Sequence, residues 1–295
     1  MKAIILGSNG QLGSHLLKEL DSEINIIYFS KNDLDITDYS SVQSQLDKLK
    51  PDFIINAAAF TNVEKAENEV NLAYQVNSYA VKNLAELSFK RNITLIHYST
   101  DYIFDGKKKG RYYEHDYAKP LNTYGLSKLK GESYIKQSNC KYYIFRTSWI
   151  VSNIGKNFAK SIFNKLVKNE KIEIVYDQIG VPTSAELIAK VTKDFIKNYL
   201  QPFKFQYGIY NLTPNGKSSF FEIAKYLAKN IKVIYPDLIL EEKIIPIKTI
   251  NYPSFAKRPL NSLLDTRKIE SVLNYKLPSW ESDFAKVIVN LIDDR

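Results

Sequence analysis

Two hydrophobic rhythms alternate along the first half of this chain. Short apolar runs, Lys2–Leu6, Ile24–Phe29, Phe53–Asn56, Thr94–Ser99 and Tyr142–Thr147, have the length of strands buried in a sheet. Between them, apolar residues recur at helical spacing. Leu12, Leu16, Leu17 and Leu20 share one face of a helix over Leu12–Leu20. Val42–Leu49 reads as a helix stopped before Pro51, and Val70–Lys90 as a long one. A further helix falls between the fourth and fifth strands. Strands separated by amphipathic helices need right-handed crossovers, so the pattern predicts an α/β fold built on a doubly wound parallel sheet.

Beyond Trp149 the rhythm loosens. Phe158–Val167 and Ala185–Tyr199 read as helices, Ile172–Tyr176 as extended, and Gly208–Leu212 as one more strand of the main sheet. The rest carries most of the prolines and two short helical patterns, Phe220–Lys229 and Asp283–Leu291. The expected organisation is a first domain of residues 1–150 plus about 184–214. Residues from about 151–183 plus 215–295 form a second, smaller α/β domain that carries the substrate.

The first strand runs into Gly7-Ser8-Asn9-Gly10-Gln11-Leu12-Gly13, with glycines at every third position before a helix opens. Glycine permits the tight turn and lets a pyrophosphate approach the backbone, and the helix N-terminus offers free N–H groups. This is the context of a Rossmann-like dinucleotide site, so the first domain is expected to bind the cofactor. The second strand ends Tyr28-Phe29-Ser30-Lys31, without the acidic residue that would grip the ribose 2′-hydroxyl of NAD. Ser30 and Lys31 suit a 2′-phosphate, so NADP(H) is expected ahead of NAD(H), with NAD(H) still accepted.

Tyr124 and Lys128 stand four apart, on one face of a helix. A phenol with pKa near 10 needs help to exchange protons at neutral pH, and a neighbouring ammonium lowers that pKa. The pair follows, in chain order, the glycine turn and a strand ending His97-Tyr98-Ser99-Thr100-Asp101. Open α/β sheets bind ligands at such carboxyl ends, where Thr100 can bond a substrate carbonyl.

Composition narrows the alternatives. The chain of 295 residues is 44% hydrophobic and 25% charged, which excludes a disordered or collagen-like chain. Its apolar runs are far shorter than a membrane span, and the N-terminus reads as a strand rather than a signal peptide. The single cysteine, Cys140, fits a reducing cytoplasm. The net charge of +9 comes from scattered lysines, with no zinc spacing or aromatic RNA-binding signature, so a nucleic-acid partner is not expected. A positive field favours a small anionic ligand such as a nucleotide diphosphate.

The motifs taken together resemble the dTDP-4-dehydrorhamnose reductase family of the extended short-chain dehydrogenase/reductase superfamily. The matching segments include Gly7–Gly13, Leu34–Asp38, Asn56–Glu67, Ser99–Gly106, Pro120–Glu132, Phe145–Trp149, Asn157–Lys160, Asp177–Thr183 and Arg258–Leu263. The resemblance implies a catalytic triad of Thr100, Tyr124 and Lys128. It implies cofactor contacts from Gly10, Gln11 and Leu12, an adenine region at Asp35 and Ile36, and a nicotinamide nucleotide lined by Ala59, Phe60, Thr61 and Tyr98. Sugar contacts fall on Thr100, Asp101, Tyr124 and Trp149. Phe60 departs from the family, many members carrying His there. Some members bind Mg²⁺ at a dimer interface through several glutamates; Glu186 matches one, but His15 stands at another, so a Mg²⁺ site is not expected. Monomer and homodimer both stay open.

The activity implied is reduction of the C4 keto group of dTDP-4-dehydro-6-deoxy-L-mannose to dTDP-L-rhamnose, for cell-surface polysaccharide synthesis. A reductase of another nucleotide-linked 4-keto-6-deoxy sugar and a non-catalytic NADP-binding regulatory subunit remain alternatives. A 4,6-dehydratase would carry Glu after Asp101, where this chain has Tyr102.

Overall fold

The computed structural model describes residues 1–20, 24–199, 205–236 and 240–294. Residues 21–23, 200–204, 237–239 and 295, which fall within the expected domain spans, lie outside the described residues. Six parallel strands form the main sheet: β1 (Lys2–Leu6), β2 (Asn25–Phe29), β3 (Phe53–Asn56), β4 (Thr94–Thr100), β5 (Tyr142–Thr147) and β6 (Gly208–Asn211). Their order is β2-β1-β3-β4-β5-β6. The order reverses between β1 and β3, and such a reversal opens a crevice at the carboxyl ends of the strands. The glycine turn leaves β1 and Ala57–Thr61 leave β3 at that point.

Helices cover both faces. On one, α1 (Gln11–Leu20) buries Leu12, Leu16 and Leu20 in a core shared with Ile188, Val191 and Phe195 of the helix Ala185–Lys197. On the other, Val42, Leu46, Leu84 and Ile135 pack over Ile4, Ile54 and Ile144. A separate core holds the second lobe together through Ile162, Leu166, Ile172, Leu227, Ile231 and Phe284. Its strands are short: Ile172–Val175 runs parallel to Ile244–Ile247, and Ile150–Val151 parallel to Thr183–Ser184.

Two elements differ from the sequence pattern. The helix expected over Val70–Lys90 continues to Arg91 but contains a π turn at Gln75–Tyr79. One extra residue in a turn leaves the apolar stripe nearly intact, so periodicity does not report it. The strand Ile244–Ile247 shows no alternation, because both Ile245 and Pro246 are exposed.

Candidate active site

The three glycines of the first turn do different work. Gly7 has φ +80°, and a Cβ there would lie 2.7 Å from Ala58 N; one on Gly13 would lie 2.1 Å from Gly7 O. Protein packing alone therefore demands these two. A Cβ on Gly10 would meet only Gly7 O, at 3.3 Å. Gly10 instead borders two cavities that meet at the crevice, of about 460 and 230 Å³. The first turn of α1 carries no acidic residue, so its N–H groups and dipole face the crevice unopposed.

The larger cavity gathers Thr100, Asp101, Tyr124, Lys128 and Trp149 beside Ala59, Thr61 and the glycine turn. Thr100 ends β4; its Oγ1 accepts from Tyr102 N–H and donates to Asp101 Oδ1, both at 3.1 Å. Burial pushes the Asp101 carboxyl up to about 7, against hydrogen bonds that favour the anion. Tyr124 sits in the first turn of the helix Thr123–Gln137, where Asn122 caps Gly125 N–H at 2.8 Å and Glu67 accepts from Thr123 N–H at 2.7 Å. A Cβ on Gly125 would fall 2.2 Å from Tyr102 O, so glycine lets this helix lie directly on the turn after β4. Burial raises the Tyr124 phenol to about 12, opposed by hydrogen bonding to Thr100 and reinforced by the nearby Asp101 carboxylate.

Lys128 departs from the expectation that its ammonium depresses that phenol. Its Nζ donates to Tyr98 O at 2.6 Å and lies 3.2 Å from His97 Nε2, so the side chain is anchored to β4. Burial lowers it to about 8, partly offset by Glu132. Desolvation thus outweighs charge pairing at both members of the Tyr–Lys pair.

Trp149 adopts φ +45°, a strained value for a tryptophan. Its indole stacks on Phe220 with ring centroids 3.8 Å apart, and a Cβ on Gly180 would strike the ring at 2.6 Å. The ring is wedged in place while still bordering the cavity. Tyr98 lines the same cavity, but its hydroxyl bonds Thr192 Oγ1 at 2.8 Å, turned into the core.

The smaller cavity collects Asn9, Lys31, Asp35, Ile36, Ala59 and Phe60. Phe60, expected beside the nicotinamide nucleotide, lines this cavity, while Ala59 lines both. Asn77 of the π turn accepts from Phe60 N–H at 2.9 Å and donates to Phe60 O at 3.0 Å, fixing its backbone. The Ser30 hydroxyl and N–H both donate to Asp33 Oδ2, at 2.6 and 2.9 Å. Lys31 stands 4.0 Å from Asp35, so carboxylates reach this loop from positions 33 and 35 rather than from the strand end itself. Glu186 lies away from the crevice, 3.8 Å from Lys286; among the described residues no three His, Cys, Asp or Glu side chains converge as metal ligands.

Sequence reasoning missed several supports. Asn77 also donates to Ser127 Oγ at 3.0 Å, tying the catalytic helix to the loop after β3. Gln11 reaches the second lobe, its Oε1 accepting from Asn157 Nδ2 at 2.9 Å and its Nε2 donating to Lys156 O at 3.3 Å. Asn56, at the end of one apolar run, and His97, inside another, are both buried. The available signal was a polar residue at a position that periodicity assigns to the core.

A glycine-turn crevice, a strand-end threonine and a Tyr-x-x-x-Lys helix on this sheet define a protein of the extended short-chain dehydrogenase/reductase fold. The same fold is found in the Thermus thermophilus UDP-glucose 4-epimerase, which superposes with a TM-score of 0.81 over 99% of both chains at 15% identity. Residues 1–292 match the family described as the RmlD substrate binding domain. The dTDP-4-dehydrorhamnose reductase of Aggregatibacter actinomycetemcomitans is 37% identical over 95% of this chain and 96% of its own. A crystal structure of dTDP-4-dehydrorhamnose reductase from Bacillus anthracis, in complex with NADP, has a TM-score of 0.87 at 34% identity, covering 98% of each chain. The chain belongs to the dTDP-4-dehydrorhamnose reductase family, a family of oxidoreductases.

Proposed function

We propose that this chain reduces the C4 keto group of dTDP-4-dehydro-6-deoxy-L-mannose to give dTDP-L-rhamnose. NADPH is the preferred reductant and NADH is accepted. The observation that carries the reading is the convergence of Thr100, Tyr124 and Lys128 on one cavity that also borders the glycine turn. That cavity fits a dinucleotide, since Gly10 keeps its rim free of side chain while the α1 N–H groups face it.

When bound, the dihydronicotinamide supplies a hydride to C4. Tyr124 gives its proton to the C4 oxygen; a phenol held up to about 12 is fully protonated at neutral pH and available as the acid. Thr100 turns its hydroxyl proton from Asp101 Oδ1 to the same oxygen, which frees that carboxylate oxygen. Asp101 takes a sugar hydroxyl, and Trp149 offers its indole face to the ring. Lys128 holds the ribose of the nicotinamide nucleotide. Residues 1–150 with about 184–214 hold the cofactor, and about 151–183 with 215–295 close over the sugar nucleotide. Lys156, on the wall of the larger cavity, adds a cation for a diphosphate.

The partner in this reading is a small nucleotide sugar. The protein acts in the cytoplasm as a monomer or homodimer; among the described residues no helix is long and apolar enough to cross a membrane. The test is NADPH oxidation with dTDP-4-dehydro-6-deoxy-L-mannose, the configuration at C4 of the product being read by NMR. Turnover to dTDP-L-rhamnose is expected. No turnover with this substrate, but turnover with another 4-keto-6-deoxy sugar nucleotide, would move the assignment to that sugar; cofactor binding without any turnover would identify a binding subunit.

A further inference from the structure

Behind the Tyr–Lys pair runs a chain of buried polar groups that the reaction itself does not call for. Asn56, at the end of β3, accepts from Ala58 N–H through Oδ1 at 3.2 Å. Its Nδ2 lies 3.2 Å from His97 Nδ1, and His97 Nε2 lies 3.2 Å from Lys128 Nζ. All three side chains are at most 2% exposed, so water cannot repair a mismatch.

Donor and acceptor roles along this chain are not free. A backbone N–H can only donate, so Asn56 must turn its oxygen to Ala58 and its NH₂ to His97. Nδ1 of His97 is then an acceptor, and a neutral imidazole must carry its proton on Nε2, aimed at Lys128. An ammonium there sets two donors against each other. A neutral amine resolves the conflict: its lone pair accepts from Nε2–H, one N–H goes to Tyr98 O, and one remains for the cavity. Flipping Asn56 only transfers the donor–donor clash to Ala58.

We propose that His97 is a positioning residue for the Tyr124–Lys128 pair: its tautomer, locked by Asn56, presents Nε2–H to Lys128 and favours the neutral amine. The reading rests on Lys128 being the lysine of the proposed reductase site. Burial keeps His97 itself well below the ordinary imidazole range, so it is neutral throughout the working range and cannot answer by charging. Lys128, on the cavity that Tyr124 also lines, then gives up its extra proton more readily than an exposed lysine does.

Other charges around the helix are accounted for. Glu132, on the same helix, is held by Arg146 of β5 through two contacts of 2.9 and 2.7 Å. Asp101 and Tyr102 approach from the turn after β4, beside Tyr124. Glu67, from the helix Val63–Asn68, is bound to Thr123 N–H, while Glu64 of that helix is paired with Arg258. Lys65 lies near its end. The helix Ala80–Arg91 contributes Lys82, paired with Glu86 over Tyr134. The π turn adds Tyr79, against Tyr134, and the uncharged Asn77 and Ser78.

The experiment is nitrogen NMR of the full chain with labelled histidine and lysine, without substrate. It needs no turnover, so failure of the reductase reading and failure of this one come apart. The native protein is expected to show His97 as the Nε2–H tautomer and Lys128 titrating near 8. His97→Gln, whose amide oxygen can accept from an ammonium, should move that titration upward by about one unit or more, tenfold in proton affinity. Should that variant not fold, Asn56→Asp gives a second reading, because its carboxylate accepts from both Ala58 N–H and His97, inverting the tautomer to Nδ1–H. An Nδ1–H tautomer in the native protein, an unmoved Lys128 titration in His97→Gln, or an unchanged tautomer in Asn56→Asp overturns the proposal.

Discussion

At the Tyr124 end of the crevice, polar side chains are buried and answered by protein partners: Lys128 by Tyr98 O, Thr100 by Asp101, Asn77 by both backbone groups of Phe60. At the Lys31 end the charged side chains stand in water. The Lys31 side chain is 73% exposed and its Asp35 partner 40%. Both ends line cavities of one crevice, yet their energetics differ. Burial makes each polar contact at the first end expensive to lose and displaces pKa values. At the second, solvent screening leaves single contacts worth little. The chemistry thus sits where the fold is most demanding, and cofactor preference where it is least.

The comparison is open to direct attack. In Tyr124→Phe the proposed acid disappears while the ring stays; kcat should fall by roughly 10²–10⁴, with cofactor binding barely changed. Near-native turnover would remove Tyr124 from the chemistry. Asn77→Ala strips Phe60 N–H and C=O of their partners, at about 1–3 kcal/mol for each group left unsatisfied. The expected result is a lower midpoint of thermal unfolding together with a higher KM for the cofactor; a change in stability alone would reduce Asn77 to a core residue.

Asp101 provides a test by pH. Its folded pKa of about 7 lies above the unfolded carboxyl value of about 4, so the folded state holds a proton that the unfolded chain releases in between. Its contribution therefore falls as pH rises from about 4 to about 7, and is level above that. Asp101→Asn, which mimics the protonated acid, should remove this slope from a chemical-denaturation series; an identical slope in the variant would show that the carboxyl ionises normally.

The smallest effect belongs to the exposed end. Lys31→Ala should narrow the NADPH-over-NADH preference only a few-fold, the worth of a contact of about 0.2–1 kcal/mol, and the native margin should shrink as salt rises. A collapse of NADPH use by orders of magnitude would show that this end is as tightly built as the other.

Residue order and type carried the fold class, because a doubly wound sheet writes itself as alternating apolar runs and amphipathic helices, with glycines where the backbone needs them. Gly7 and Gly13 are such positions, fixed by a positive φ and by a close approach. The Tyr124–Lys128 spacing and the hydroxyl at the end of β4 were legible for the same reason: local geometry sets them. What tertiary structure alone decided is where each polar atom finds its partner. Asn77 bonds both backbone groups of Phe60, and Tyr98 O with His97 holds Lys128 against β4. Hydrogen bonds between residues tens of positions apart leave no periodicity in a sequence. Desolvation depends on everything packed around a group, so it too exists only once the chain has folded.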